Sequence, residues 1–109
     1  MNEPDEETAD GQRVPRDQLP LPRPYVAPRT NTERGLERIW CTVLSMDCVG
    51  VEDSYNDLGG DSLHAVVIFS RIRETFEVEL PVATLVTAPT IAQLAPLIDK
   101  LTADSRKSG

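Results

Sequence analysis

Histidine occurs once in this chain of 109 residues, cysteine twice, and 18 acidic residues stand against 11 basic ones. Each scarcity excludes something. Two cysteines and one distant histidine are too few ligands for a structural zinc site. They are also too few for a disulfide scaffold, which a domain of this size does not need. Cys41 and Cys48 are read as free thiols in a reducing compartment, with the cytoplasm as the expected location. The formal net charge of −7 argues against nucleic acid as a partner, because phosphate binding needs a basic surface. It suits a soluble protein whose partners offer basic patches. No apolar run approaches the roughly 20 residues that span a bilayer. The opening "MNEPDEETAD" lacks the basic-then-apolar order of a secretion signal, so no membrane role is expected. The length allows one small domain, expected to be a monomer.

Apolar periodicity organises what remains. Residues 1–29 read as a disordered acidic tail followed by a proline-rich linker, with "LPLPRPYVAP" favouring an extended path. "TNTERGLERIWCTVLSM" predicts a first helix, with Thr30 and Glu33 at capping-box spacing and Asn31 or Thr32 as alternative caps. Its stripe is Leu36, Ile39, Trp40, Val43 and Leu44. "DCVGVEDSYNDLGG" has glycines, acids and isolated apolar residues without a sustained period, so it is a long loop. Val49, Val51, Tyr55 and Leu58 are expected to pin it to the core, with a helical turn possible around Ser54–Leu58.

A second helix is expected from Asp61 or Ser62 to about Phe76. It has two apolar stripes. Ala65, Ile68, Phe69, Ile72 and Phe76 share a narrow arc at about 100° per residue and form the core face. Leu63, Val66 and Val67 lie nearly opposite. A small helical domain cannot easily bury both, so the second stripe is read as a partner surface; the alternative is that the long loop covers it. Pro81 opens a short third helix through about Val86, which Pro89 stops. Thr90 caps a last helix carrying Ile91, Leu94, Ala95, Ile98 and Leu101, in which Pro96 should cause a kink. The fold class is all-α: a four-helix bundle of three longer helices and one short one, over residues 30–101. Residues 102–109 are expected to be a flexible tail.

"LGGDSLHAV", residues 58–66, carries the chemistry. Gly60-Asp61-Ser62-Leu63 spells the string that names a class of esterases, so a nucleophilic Ser62 must be weighed. A hydrolase serine needs a base within hydrogen-bond reach. His64 is the one histidine, and positions two apart on a helix point about 200° apart. An oxyanion hole and acyl pocket need a larger scaffold, and the motif should follow a strand rather than a loop. No catalytic residue is therefore assigned, and His64 is read as a surface residue. As a display site the same residues make sense. Gly59 and Gly60 permit a sharp turn and close approach to another protein. Ser62 falls in the first turn of a helix, where the helix dipole favours a phosphate ester.

The stretch "VGVEDSYNDLGGDSLHAVVIFSRIRETFEVELPVATLVTAPTIAQLA" resembles the peptidyl carrier protein, or thiolation domain, of nonribosomal peptide synthesis. The resemblance covers about residues 30–101 and rests on "LGGDSL", "FEVELP" and "APTIAQLA" in order. It implies a four-helix bundle that is not an enzyme. It implies that a phosphopantetheinyl transferase attaches 4'-phosphopantetheine from coenzyme A to Ser62. The arm's thiol then holds an aminoacyl or peptidyl thioester, presented to an adenylation enzyme and to condensation, tailoring or thioesterase partners. Partner contacts map to Asp61, Leu63, Val66 and Val67, in a bacterial cytoplasm. No metal is implied.

Departures from the family pattern carry expectations of their own. Tyr55-Asn56 stands where many relatives have two aromatics, which predicts looser loop packing. Asp61 stands where many have histidine. "GQRVPRDQLPLP" resembles a degraded end of an adenylation domain, with Arg13 in place of the lysine and Pro15 in place of the following acid, so lysine-dependent chemistry is not carried over. A free-standing carrier is expected. The alternatives are an aryl or acyl carrier of a polyketide or hybrid pathway, and a helical module that binds a partner without a covalent group.

Overall fold

The computed structural model describes residues 13–108, with side chains through residue 103. The acidic tail expected over residues 1–12 lies outside the described residues. Among the described residues there are four α-helices and one 3-10 turn, Arg16–Gln18, and no named strand. The helices are α1 (Asn31–Leu44), α2 (Ser62–Phe76), α3 (Thr84–Thr87) and α4 (Ile91–Ser108). This is the expected bundle. No described helix is long and apolar enough to cross a membrane.

Side-chain caps set the helix starts. The Thr30 hydroxyl accepts from Glu33 N at 3.1 Å, so Thr30 is the N-cap of α1. The return half of the box is shifted by one residue: Glu33 Oε1 accepts from Arg29 N at 2.7 Å. Thr90 does the same work for α4, accepting from Gln93 N at 3.2 Å. These bonds satisfy N–H groups that a first turn leaves without partners. α3 is shorter than the expected Pro81–Val86 helix and begins at Thr84, because Pro81–Ala83 form a turn in which Thr84 N donates to Pro81 O. α4 runs through Pro96 and on to Ser108, well past Leu101.

The core lies between α1, α2 and α4 and the inner side of the first loop. Leu36, Ile39 and Trp40 of α1 meet Ala65, Ile68, Phe69 and Ile72 of α2 and Ile91, Leu94, Ala95 and Ile98 of α4. Val43 and Leu44 are only half-buried at its edge, and Cys41 takes a core position instead. Met46, Val49, Val51, Tyr55 and Leu58 bring the loop into the same cluster. The expected turn is present: Leu58 N donates to Ser54 O at 3.1 Å.

The packed unit starts upstream of the boundary drawn at residue 30. Val14 forms a parallel bridge with Met46. Leu19, Leu21 and Val26 pack against the core, and Val51 N donates to Val26 O at 2.9 Å. The proline-rich segment is extended, as its composition requires, but it is laid along the domain. Prolines fix the path in advance, so little chain entropy opposes docking it.

Candidate functional site

The start of α2 is built by Tyr55. Its ring packs edge-on against buried Trp40, with centroids 5.4 Å apart. Its backbone N donates to Pro89 O at 2.8 Å, and its hydroxyl donates to Asp61 O at 2.7 Å. Burial pushes this phenol up to about 12, with the nearby Asp61 charge adding to the effect. The glycine pair fits around the ring for two different reasons. Gly59 adopts φ +82°, which L side chains rarely tolerate. Gly60 leaves the space that the Tyr55 ring fills: a Cβ there would lie 2.2 Å from Cζ. The polar residue after Tyr55 does not loosen this packing. Asn56 faces outward, while Tyr55 is buried.

Asp61 is the N-cap of α2, its carboxylate accepting from His64 N at 2.9 Å. Its side chain remains largely exposed, so it serves the helix and still faces outward. His64 Nδ1 lies 3.0 Å from the same oxygen, in a geometry that makes no hydrogen bond. Ser62 occupies the first helical position and is exposed. Among the described residues, no hydrogen bond joins its hydroxyl to His64 or to any other group. The acid and the imidazole are neighbours, and the serine is not linked to either, so the arrangement is not a triad.

The second stripe is exposed. Leu63 is 77% accessible, Val66 54% and Val67 42%. The long loop does not fold over them. It turns inward instead, because its apolar residues are already committed to the core. Sequence reasoning missed the other half of this surface. Val82 and Val86 of the segment around α3 are also exposed. With Tyr55, Gly60, Ser62 and Val66 they line a groove of about 530 Å³. The available signal was the shortness of the segment between Pro81 and Pro89, since a helix of one or two turns cannot turn every apolar side chain inward.

Sequence reasoning also missed a two-pronged ion pair in the first loop. Arg16 Nε and Nη2 reach Asp53 Oδ2 and Oδ1, both at 2.6 Å, and Asp53 is 2% exposed. This carboxylate holds the Arg16 guanidinium in its charged form, raising its pKa.

A phosphopantetheine group fits these residues. The Ser62 hydroxyl is exposed and spends no hydrogen bond on the protein. The adjoining groove has an apolar wall along which an extended chain can lie. An anion attached at Ser62 would sit at the positive end of the α2 dipole.

Comparison with known proteins agrees with this geometry. Residues 34–98 match the family described as "Phosphopantetheine attachment site". The chain is 41% identical over 93 residues to tyrocidine synthase 3 of Brevibacillus parabrevis, covering 79% of this chain and 1% of that protein. Thus the chain spans a small fraction of that relative's length. Among solved structures, it superposes on a chain of the complex of the phosphopantetheine transferase Sfp with coenzyme A and a peptidyl carrier protein. The TM-score is 0.68 at 34% identity, covering 70% of this chain and 99% of that one. It also superposes on McyG A-PCP complexed with phenylalanyl-adenylate, with TM-score 0.63 at 28% identity, covering 90% of this chain and 14% of that one. Members of the matched family bear covalently attached 4'-phosphopantetheine and are carriers modified by a transferase rather than catalysts. The chain belongs to this phosphopantetheine attachment family, as a carrier protein homologous to the thiolation domains of nonribosomal peptide synthetases.

Proposed function

We propose that Ser62 is the attachment point for 4'-phosphopantetheine and that the chain carries an aminoacyl or peptidyl thioester between enzymes of nonribosomal peptide synthesis. One observation carries this reading: the exposed, uncommitted hydroxyl of Ser62 at the first position of α2, beside a groove with an apolar wall. Ser62 Oγ gives up its proton and forms the phosphodiester bond while the adenosine bisphosphate of coenzyme A leaves. The group supplies a terminal thiol on a long flexible arm. The protein's own residues then do three things. Tyr55, Gly59 and Gly60 hold the turn that presents Ser62. Asp61 caps α2 and keeps an exposed carboxylate beside the serine. Leu63, Val66 and Val67 offer aliphatic surface to each partner in turn.

The transferase and the adenylation enzyme are the first partners in that order. Condensation, tailoring and thioesterase partners follow from the cargo's chemistry, since a thioester must be both extended and released. Coenzyme A as donor and two free cysteines suit a cytoplasmic setting. The test is intact-mass analysis after incubation with coenzyme A and a phosphopantetheinyl transferase. The native chain should gain one arm and Ser62→Ala none; an unchanged gain in the variant would remove the assignment.

A further inference from the structure

The proline-rich segment upstream of α1 does more than lead into the domain. It crosses the first loop at two places. At the near end, Val14 N donates to Ser45 O at 2.7 Å and Asp47 N donates to Val14 O at 3.0 Å. Arg16 N donates to Asp47 Oδ1 at 3.0 Å. At the far end, Val51 N donates to Val26 O. Between them the Arg16 guanidinium enters the loop and grips Asp53 through both carboxylate oxygens. Arg16 is itself held in place. Its Nη2 also donates to Arg23 O at 2.9 Å, and its guanidinium carbon lies 5.5 Å from the Tyr25 ring centroid.

Asp53 is the hinge of the arrangement. Its Oδ2 accepts from Gly50 N at 2.8 Å as well as from Arg16, closing the turn over residues 50–53. Two residues later, Tyr55 is tied to Pro89 through its backbone and to Asp61 through its hydroxyl. Asp61 directly precedes Ser62. A short run of fixed contacts thus leads from Arg16 to Asp53, along the loop to Tyr55, and to the turn that presents Ser62. Without Arg16 the carboxylate of Asp53 is a buried charge with no counter-ion, held only by the Gly50 N–H, which is costly in the interior. Relieving that cost, by admitting water to the loop or by taking up a proton, loosens the turn at 50–53 that the carboxylate closes.

We propose that Arg16 is a positioning residue for Ser62, acting through Asp53 and the loop to hold the serine's turn in the form the transferase accepts. The proposal rests on the reading that Ser62 receives the arm. Arg16→Met leaves the fold's apolar core intact but lets the loop sample open forms. A carrier that is competent only part of the time binds its enzyme with a KM raised by the inverse of the competent fraction. If that fraction falls to about a tenth, KM rises about tenfold while kcat stays close to native. Arg16→Lys keeps the charge but not the two-pronged grip, so its KM falls between the two. Arg16→Met/Asp53→Asn removes the unpaired charge while keeping an acceptor for Gly50 N, so KM returns part of the way to native.

The experiment measures KM and kcat for arm transfer from coenzyme A by a phosphopantetheinyl transferase on the full chain. Circular dichroism confirms that each variant is folded at the assay temperature, and amide NMR follows Gly59, Gly60 and Ser62. The expected result is a raised KM with unchanged kcat, with those three amide signals displaced in Arg16→Met and moved back in the double variant. If Arg16→Met does not fold, Arg16→Lys carries the same comparison. A lowered melting temperature with native KM and undisturbed Gly59–Ser62 signals makes the ion pair a staple only and overturns the proposal; so does a fall in kcat with KM unchanged. If the native chain takes no arm, or keeps taking one as Ser62→Ala, the reading of Ser62 fails and this proposal fails with it. A native arm on Ser62 with kinetically silent Arg16 variants removes the positioning role alone.

Discussion

The Tyr55 hydroxyl donates to the Asp61 carbonyl oxygen at 2.7 Å, while the Tyr55 ring occupies the space that a side chain at Gly60 would need. The same residue thus sets the position of α2's cap and the identity of the residue before it. The two contacts differ in worth. The Asp61 carbonyl also accepts from Ala65 N at 3.0 Å, so Tyr55→Phe leaves it satisfied and should cost about 0.5 kcal/mol, the low end for a hydrogen bond. Gly60→Ala forces the ring or the turn to move and should cost about 1–3 kcal/mol. Urea unfolding of both variants checks the ranking. Combining Gly60→Ala with Tyr55→Leu should cost clearly less than the sum of the single changes, since the clash disappears with the ring. Additive costs would place the Gly60 constraint elsewhere.

Neighbouring positions of α2 should respond oppositely to the same change. Val67 is 42% accessible and Ile68 is fully buried. Val67→Asp should leave stability within about 0.5 kcal/mol of native, as an exposed substitution does, yet slow arm transfer or aminoacyl loading on the order of tenfold, the loss typical of an apolar contact near an interface centre. Ile68→Asp should unfold the domain, because it places an unpaired charge in the core. Thermal melts and transfer rates on the two variants separate the faces. A Val67→Asp protein that melts early would contradict the division of α2.

Much of this organisation was legible in the sequence. The two stripes of α2 follow from a period of 3.6 residues, and both fell where counting placed them. The caps Thr30 and Thr90 were visible because a hydroxyl followed three residues later by Glu or Gln is a local signal. Other features are not local. The first loop looked aperiodic because its alternation includes an acid. Val49, Val51, Asp53 and Tyr55 all face inward, at a spacing of two, and Asp53 breaks the apolar pattern only because its partner is Arg16, 37 residues upstream. What the linker packs against was not legible for the same reason: prolines announce an extended path but not what the path lies against. Gly60 was read as room for another protein to approach, whereas the group that fills the space is Tyr55 of the same chain.

Acid should weaken the α1 cap with a sign that can be worked out. Arg29 hydrogen-bonds Glu33 and holds its carboxyl below the usual carboxylate range, against the opposing effect of burial. A carboxylate whose folded pKa is depressed stabilises the protein above its unfolded pKa, and that contribution disappears as pH falls through the folded value. Glu33→Gln should therefore be less stable than native at neutral pH, with the gap closing as the pH drops through and below the ordinary carboxylate range. Arg29 is largely exposed, so salt should narrow the gap as well. Chemical unfolding of both proteins across that range makes the comparison; a gap constant with pH would mean that the Glu33 charge contributes nothing.

The two native thiols should be silent where the arm's thiol is reactive. Burial pushes Cys41 up to about 12. Burial, with the neighbouring Asp47 carboxylate adding to it, pushes Cys48 up to about 11. Alkylation needs the thiolate. With its pKa raised above that of an ordinary thiol, Cys48 holds far less thiolate at neutral pH, and Cys41 is less available still because its side chain is in the core. An arm ending in an exposed thiol has neither restraint. Iodoacetamide at about pH 7.5, well below the ordinary thiol pKa, followed by intact mass, should therefore leave the unmodified chain nearly untouched over minutes and add one group to the arm-bearing chain. Denaturing urea should then release two further sites in both. Rapid alkylation of the folded, unmodified chain would show that Cys48 is not held as the structure places it, and would locate a mobile edge beside Asp47 in the same loop that Arg16 grips.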